Sequence, residues 1–173
     1  DTTSAISSGA HPFDSHSITV SSDELGSITM AGEGGSSAQG AIDTTAAGDL
    51  WDNTFTTATV TGSKPKASAA GSNGLTYVLP SLVDGFGLTA SYAPKGSGAD
   101  SSTSFAVSYT GIEGLTLNYG VGEDNSTSGS TADVTTMKAS YAYGPITVAY
   151  SDTEYDDETA NQDQEVSSFN ISY

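Results

Sequence analysis

The densest set of titratable groups in the sequence is acidic: Asp152, Glu154, Asp156, Asp157 and Glu158 crowd one short stretch. Hard cations such as Ca²⁺ take several carboxylates of this kind. The run lacks the central glycine of an EF-hand loop, so a solvated, self-repelling external loop is the better account of it. His11 and His16 have no third ligand nearby, and two imidazoles do not make a zinc site. The absence of Cys removes thiol catalysis, disulfides and Cys-ligated zinc. Serine is abundant, yet neither a G-x-S-x-G elbow nor a Gly-rich phosphate loop occurs. These residues point away from an enzyme and from a bound cofactor, with Ca²⁺ on external loops as the one metal to consider.

Charge excludes a further class. The 173 residues include 4 Lys and Arg together against 21 Asp and Glu, a formal charge of −17, and every one of the cations is Lys. Phosphate contacts need clustered cations, so nucleic acid is not a partner. Apolar residues make up 35%, below the usual share of about 45–50%. That is little packing volume for a soluble core. No stretch reaches the run of about 18 apolar residues that a membrane helix needs.

The elements that position these groups are strands. From Gly74 onward apolar residues alternate with small ones: Leu75, Tyr77 and Leu79; Phe86, Leu88, Ala90 and Tyr92; Phe105, Val107 and Tyr109. The pattern continues through Leu115 to Val121, Met137 to Tyr143, Ile146 to Tyr150 and Phe169 to Tyr173, and period 2 reads as strand. Two shorter strands, around Ile18 and Val20 and around Ile28 and Met30, bring the expected total to nine. Connections alternate in length. Asp23 to Gly26, Ser81 to Gly85, Gly111 to Gly114 and Gly144 to Pro145 are tight, whereas Gly32 to Asn73, Pro94 to Ser102, Glu123 to Asp133 and Asp156 to Gln164 are long and acidic. A meander with one short-loop end and one long-loop end has the architecture of an outer-membrane barrel.

The two phases of the strands agree with that architecture. Opposite the apolar phase stand Gly87, Thr89 and Ser91, then Ser104, Ala106 and Ser108, then Thr116, Asn118 and Gly120, then Thr147, Ala149 and Ser151. Small polar residues can line a water-filled lumen while the apolar phase meets lipid. Tyr92, Phe105, Tyr119 and Tyr150 fall toward the long-loop end, and Tyr109, Tyr141, Tyr143 and Tyr173 toward the other. Two such belts are what the two headgroup interfaces select. On this alternation Lys138, the only basic residue on a strand, points to the lumen; on a soluble sheet it is an ordinary solvated lysine. The competing reading of the whole chain is an extracellular acidic β-sandwich, a surface or adhesive protein that binds Ca²⁺.

The stretches SHSITVSSDELGSITMAGEGGSSAQGAIDTTAAGDLWD, NGLTYVLPSLVDGFGLTASYAP and TSFAVSYTGIEGLTLNYGVGED resemble consecutive elements of the trimeric general porins of Gram-negative outer membranes, especially the alphaproteobacterial type. The resemblance spans nearly the whole chain and implies an all-β, antiparallel up-and-down transmembrane barrel. Nine strands cannot close an even-stranded barrel, so residues 1–173 are expected to be part of one porin domain of about 16 strands. The resemblance also implies that residues 32–73 are the loop that folds inward and narrows the pore, with Glu33, Asp43, Asp49 and Asp52 as constriction acids. Arginines usually face that loop, and this chain has none. The implied function is passive diffusion of small hydrophilic solutes and ions through an integral outer-membrane channel. Homotrimer and lipid are the implied partners, and the girdle-poor strands near Ile18 and Ile28 are the implied subunit contact.

Overall fold

The computed structural model describes residues 16–42, 65–70, 73–94, 100–127, 129–159 and 162–173. Within them lie nine strands: β1 (His16–Ser22), β2 (Gly26–Glu33), β3 (Gly74–Val78), β4 (Phe86–Ala93), β5 (Ser102–Tyr109), β6 (Leu115–Asp124), β7 (Ala132–Tyr143), β8 (Ile146–Asp157) and β9 (Gln164–Ser172). They form one antiparallel sheet in sequence order. An acidic sandwich would need a second sheet packed on this one, and the described strands form none.

Tight turns join β1 to β2, β5 to β6 and β7 to β8, residues 79–85 join β3 to β4 at the same end, and the long β2–β3 connection falls at the opposite end. The connections after β6 and β8 are shorter than the sequence suggests because β6, β7 and β8 extend into them. The turn into β6 shows why glycine is placed there. Gly114 has φ +78°, and a Cβ on it would stand 2.3 Å from the Ala142 carbonyl oxygen of the neighbouring strand. That carbonyl's own residue donates its N–H to Gly114 O at 2.8 Å, locking one hairpin to the next.

Register fixes the two faces. Phe105 is opposite Val121, Val107 opposite Tyr119, Leu117 opposite Ala139 and Tyr150 opposite Phe169, so the apolar phases of neighbouring strands share one side. That side is the open one: Phe105 is 52% exposed and Tyr119 51%, whereas Ser104 and Thr136 on the other side are 1% and 0% exposed. A soluble sheet buries the opposite set. An apolar band facing outward is stable only against lipid or another apolar surface.

Partner rows do not run level. The row Phe86, Tyr109, Leu117, Ala139, Tyr150 starts at the first residue of β4 and reaches β8 four residues above its own short turn. Such stagger accompanies strands tilted about 35–45° from a barrel axis. One row thus joins Tyr109, the last residue of β5, to Tyr150, the fifth residue of β8. At the short-turn end the Phe86 and Tyr109 rings meet with centroids 4.6 Å apart.

Two sequence expectations need correction. Glu33 is the last residue of β2, across from His16, and not in the loop. The acidic run is not an external loop up to Asp157: Asp152 to Asp157 continue β8 in register with Ala132 to Met137 of β7. The reason is that alternation persists past Tyr150. Thr153 and Tyr155 turn inward and are buried while Asp152, Glu154 and Asp156 take the outward phase, so the strand extends beyond the apolar band.

The face assignment predicts asymmetric tolerance of charge. Val107→Lys, in the middle of the outward band, should destabilise the protein by about 2–4 kcal/mol in lipid vesicles, and Ser108→Lys by less than about 1 kcal/mol. Reversible urea unfolding of the two variants checks this.

Candidate functional site

The inward face carries short polar side chains because longer ones would fill the space in front of it. Ser91 of β4 and Ser104 of β5 are cross-strand partners with hydroxyls 2.7 Å apart. Thr136 of β7 and Thr153 of β8 are paired in the same way at 3.0 Å. Between these two pairs β6 contributes Gly120 and Gly122.

Two segments from the long β2–β3 connection, residues 34–42 and 65–70, lie on this face. The first is held through its backbone: Ala38 N–H donates to Ser91 Oγ at 2.9 Å and Gln39 N–H to Ser104 Oγ at 3.3 Å. A tight turn, with Ala41 N–H donating to Ser37 O and Ile42 N–H to Gln39 O, both at 3.0 Å, keeps it compact. The second segment is tied to the first. Ser68 N–H donates to Gln39 Oε1 at 2.7 Å, and the Ser68 hydroxyl donates to Ser37 Oγ at 2.8 Å. Gln39 Nε2 in turn donates to Thr136 Oγ1 at 2.7 Å, so one buried amide joins both segments to the wall. Ala69 N–H adds a bond to the Glu123 carbonyl at 2.9 Å.

The glycines of β6 make this approach possible. A Cβ at Gly120 would lie 2.7 Å from Ile42 Cδ1 and 3.1 Å from Gln39 Cα, and one at Gly122 would lie 2.6 Å from Ser68 Cβ. Ser104 is therefore inward but dry, contrary to the expectation that it faces water.

A second anchor sits beyond the apolar band, toward the long loops. Lys66 N–H donates to Gln164 Oε1 at 2.8 Å, and its ammonium donates to the Gln162 carbonyl at 2.9 Å while standing 4.1 Å from the centre of the Tyr155 ring. Tyr155 OH donates to Asp124 Oδ2 at 3.0 Å. Burial, and then the bond to Asp124, push this phenol up to about 12, so it remains a donor at any working pH. Asp157 is held below its ordinary value chiefly by the N–H of Thr159; desolvation opposes this, and the hydroxyls of Ser130 and Thr159 and the Lys66 charge add to the lowering. These groups border a polar cavity of about 430 Å³.

Lys138 is inward, between Asn118 of β6 and Ser151 of β8. It borders a cavity of about 350 Å³ with Asn118, Ser108, Thr89, Ala41 and Ile42, the gap between the wall and the first seated segment. Glu33 is not among the residues around this cavity. Asp43, Asp49 and Asp52 lie outside the described residues. Strand alternation divides the acidic run: Asp152, Glu154 and Asp156 take the outward phase and Asp157 the inward one, with Glu158 just past the strand. Among the described residues no three or more His, Asp or Glu side chains are grouped so as to hold a metal ion. The residues that hold the seated segments, Gln39 above all, were not singled out from sequence. The only available signal was one long amide in a run of Gly, Ser and Ala.

If the segments are seated as described, filling the β6 hollow should unseat them. Ser104→Cys should resist water-soluble thiol reagents in the native background and react at least about tenfold faster when Gly120→Leu is added. The chain has no Cys of its own, so labelling followed by mass measurement reads the effect directly.

A family model described as Gram-negative porin matches residues 4–173. No curated protein and no solved structure matches the chain. With that match running over nearly all of a nine-stranded meander whose apolar face is outward, the chain belongs to the Gram-negative porin family.

Proposed function

We propose that the protein is an integral outer-membrane channel, of the alphaproteobacterial porin type, through which small hydrophilic solutes and ions diffuse passively, with cations preferred. The observation that carries this reading is the seating of residues 34–42 against an inward polar face, leaving a gap bordered by Lys138. A segment lying across a lumen sets the size of what passes, and the charges beside it set the sign. On this reading the connection that follows β2 within residues 32–73 is the constriction loop, with Asp43, Asp49 and Asp52 on it, Lys138 facing it, and Glu33 at its root as the last residue of β2. Acids outnumber cations 21 to 4, and a narrow passage with low-dielectric walls focuses their field. Charges that face bulk solvent are screened within about 8–10 Å at physiological salt.

We also read the protein as a homotrimer. The outward phases of β1 and β2 carry Ile18, Val20, Ile28 and Met30, all well exposed and none aromatic. A surface that meets a neighbouring subunit has no headgroup interface to match, so it needs no tyrosine belt.

Two measurements test the channel. In planar bilayers under a salt gradient the reversal potential should have the sign of a cation-preferring pore. Asp43→Asn, Asp49→Asn and Asp52→Asn together should lower the cation preference by about half or more, while neutralising Asp152, Glu154 and Asp156 should change it by less than about a fifth. Ala41→Cys, beside the Lys138 gap, should lose most of its conductance on reaction with a bulky thiol reagent. Anion preference would overturn the charge reading, and an unblocked Ala41→Cys would overturn the constriction.

A further inference from the structure

We propose that Gln39 is the positioning residue that sets the width of the passage, a clasp whose side-chain amide holds both limbs of the seated loop to the barrel wall. The proposal rests on the reading of residues 32–73 as the constriction.

Gln39 is 1% exposed, and its contacts run in four directions. Its backbone N–H is bound to Ser104 of β5 and its carbonyl accepts the Ile42 N–H, which shapes the first limb. Its side-chain oxygen accepts the Ser68 N–H of the second limb, and its side-chain nitrogen donates to Thr136 of β7, itself paired with Thr153 of β8. The hydroxyl pair Ser91–Ser104 holds only the first limb. Of the side chains in this network, only Gln39 spans limb to limb and limb to wall.

The chemistry of the amide suits this role. One group must accept from a backbone N–H and donate to a hydroxyl at opposite ends of a planar head, and a neutral amide does both without placing a charge in a buried site. Losing it leaves the Ser68 N–H without its acceptor, away from water, and that group regains a partner most easily if the limb lifts into the lumen. Gly120, directly beneath, adds no side chain that could hold the limb in its place. The strands are untouched, since none of their ladder bonds involves Gln39.

Two substitutions test the clasp in the intact channel. Gln39→Leu keeps the approximate volume and removes both side-chain bonds. Gln39→Glu keeps the shape and, when protonated, both bonds; ionised, it places a charge in a buried site whose partners are neutral, which drives the head toward water. The head's two partners, Ser68 and Thr136, are neutral. The charged and titratable groups on the inward side of the elements around it are Lys138 on β7, two residues from Thr136, Lys66 on the second limb, two residues from Ser68, Asp124 on β6, two residues beyond Gly122, and Tyr155 on β8, two residues from Thr153. The readout is the size limit for neutral polyethylene glycols in single-channel recordings, because the many other carboxylates that titrate affect ion current but not the entry of a neutral polymer.

Gln39→Leu should admit larger polymers than the native channel, with at least about a twofold rise in the entry of those near the native limit. Gln39→Glu should match the native limit near pH 4 and the wide limit near pH 8, a step that the native channel lacks. The folded state of each preparation is checked by its heat-dependent gel mobility, and the isosteric Glu variant covers the case in which the Leu variant does not fold. A native size limit in Gln39→Leu, or no pH step in folded Gln39→Glu, while Ala41→Cys remains blockable, overturns the clasp and leaves the constriction standing. An unblockable Ala41→Cys overturns both.

Discussion

Every backbone N–H and C=O that crosses an apolar band must find its partner inside the protein, because lipid offers none. In this chain antiparallel pairing in sequence order meets that constraint on both sides of β2 through β8, and on one side each of β1 and β9 among the described strands. Most of the architecture follows. Once the ladders are fixed, side chains can only alternate, and the alternation separates aromatic and aliphatic residues from serines and threonines along each of the central strands. The short turns need glycine where adjacent hairpins crowd, as at Gly114 against Ala142.

The same constraint explains how a loop is held on the inward face. A segment that lies across a sheet cannot join its ladders, whose backbone groups are already paired. Its own N–H groups need acceptors that stand up from the sheet, and a serine hydroxyl has the right height. Ser91 and Ser104 serve the backbone of Ala38 and Gln39, while Gly120 and Gly122 leave a hollow for Ile42 and Ser68. Small polar residues thus do two things at once, wetting part of the lumen and receiving the loop in the rest. Beyond the band the demands change: there Lys66, Tyr155 and Asp124 join in a chain of cation, ring and carboxylate that fastens the second limb near the long loops.

The order of nine strands, the tight turns before β2, β6 and β8, and the outward apolar phase were legible because each is a local, repeating pattern. The placement of Lys138 was legible for the same reason, since parity along β7 decides it. The acidic run was misread as a loop because acidity was weighed above parity; Thr153 and Tyr155 between Asp152, Glu154 and Asp156 already carried the strand signal. Gln39 was illegible for a different reason. Its partners Ser68, Ser104 and Thr136 stand 29, 65 and 97 residues away, and no local spacing marks a residue whose importance comes from where three distant strands and a returning loop meet.

The central claim is that the sheet is turned outward with its apolar phase, so that lipid and not a protein core covers Phe105, Val107, Leu117 and Tyr119. Single cysteines placed in turn along residues 104–109 and 115–120, in a chain that has none of its own, can be tested in liposomes with a membrane-permeant apolar maleimide and a charged, impermeant one. The account predicts alternation, with 105, 107, 117 and 119 taking the apolar probe alone, 106, 108, 116 and 118 taking the charged one, and 104 shielded from both. Equal labelling of the two phases, or charged labelling of the apolar phase, would contradict it.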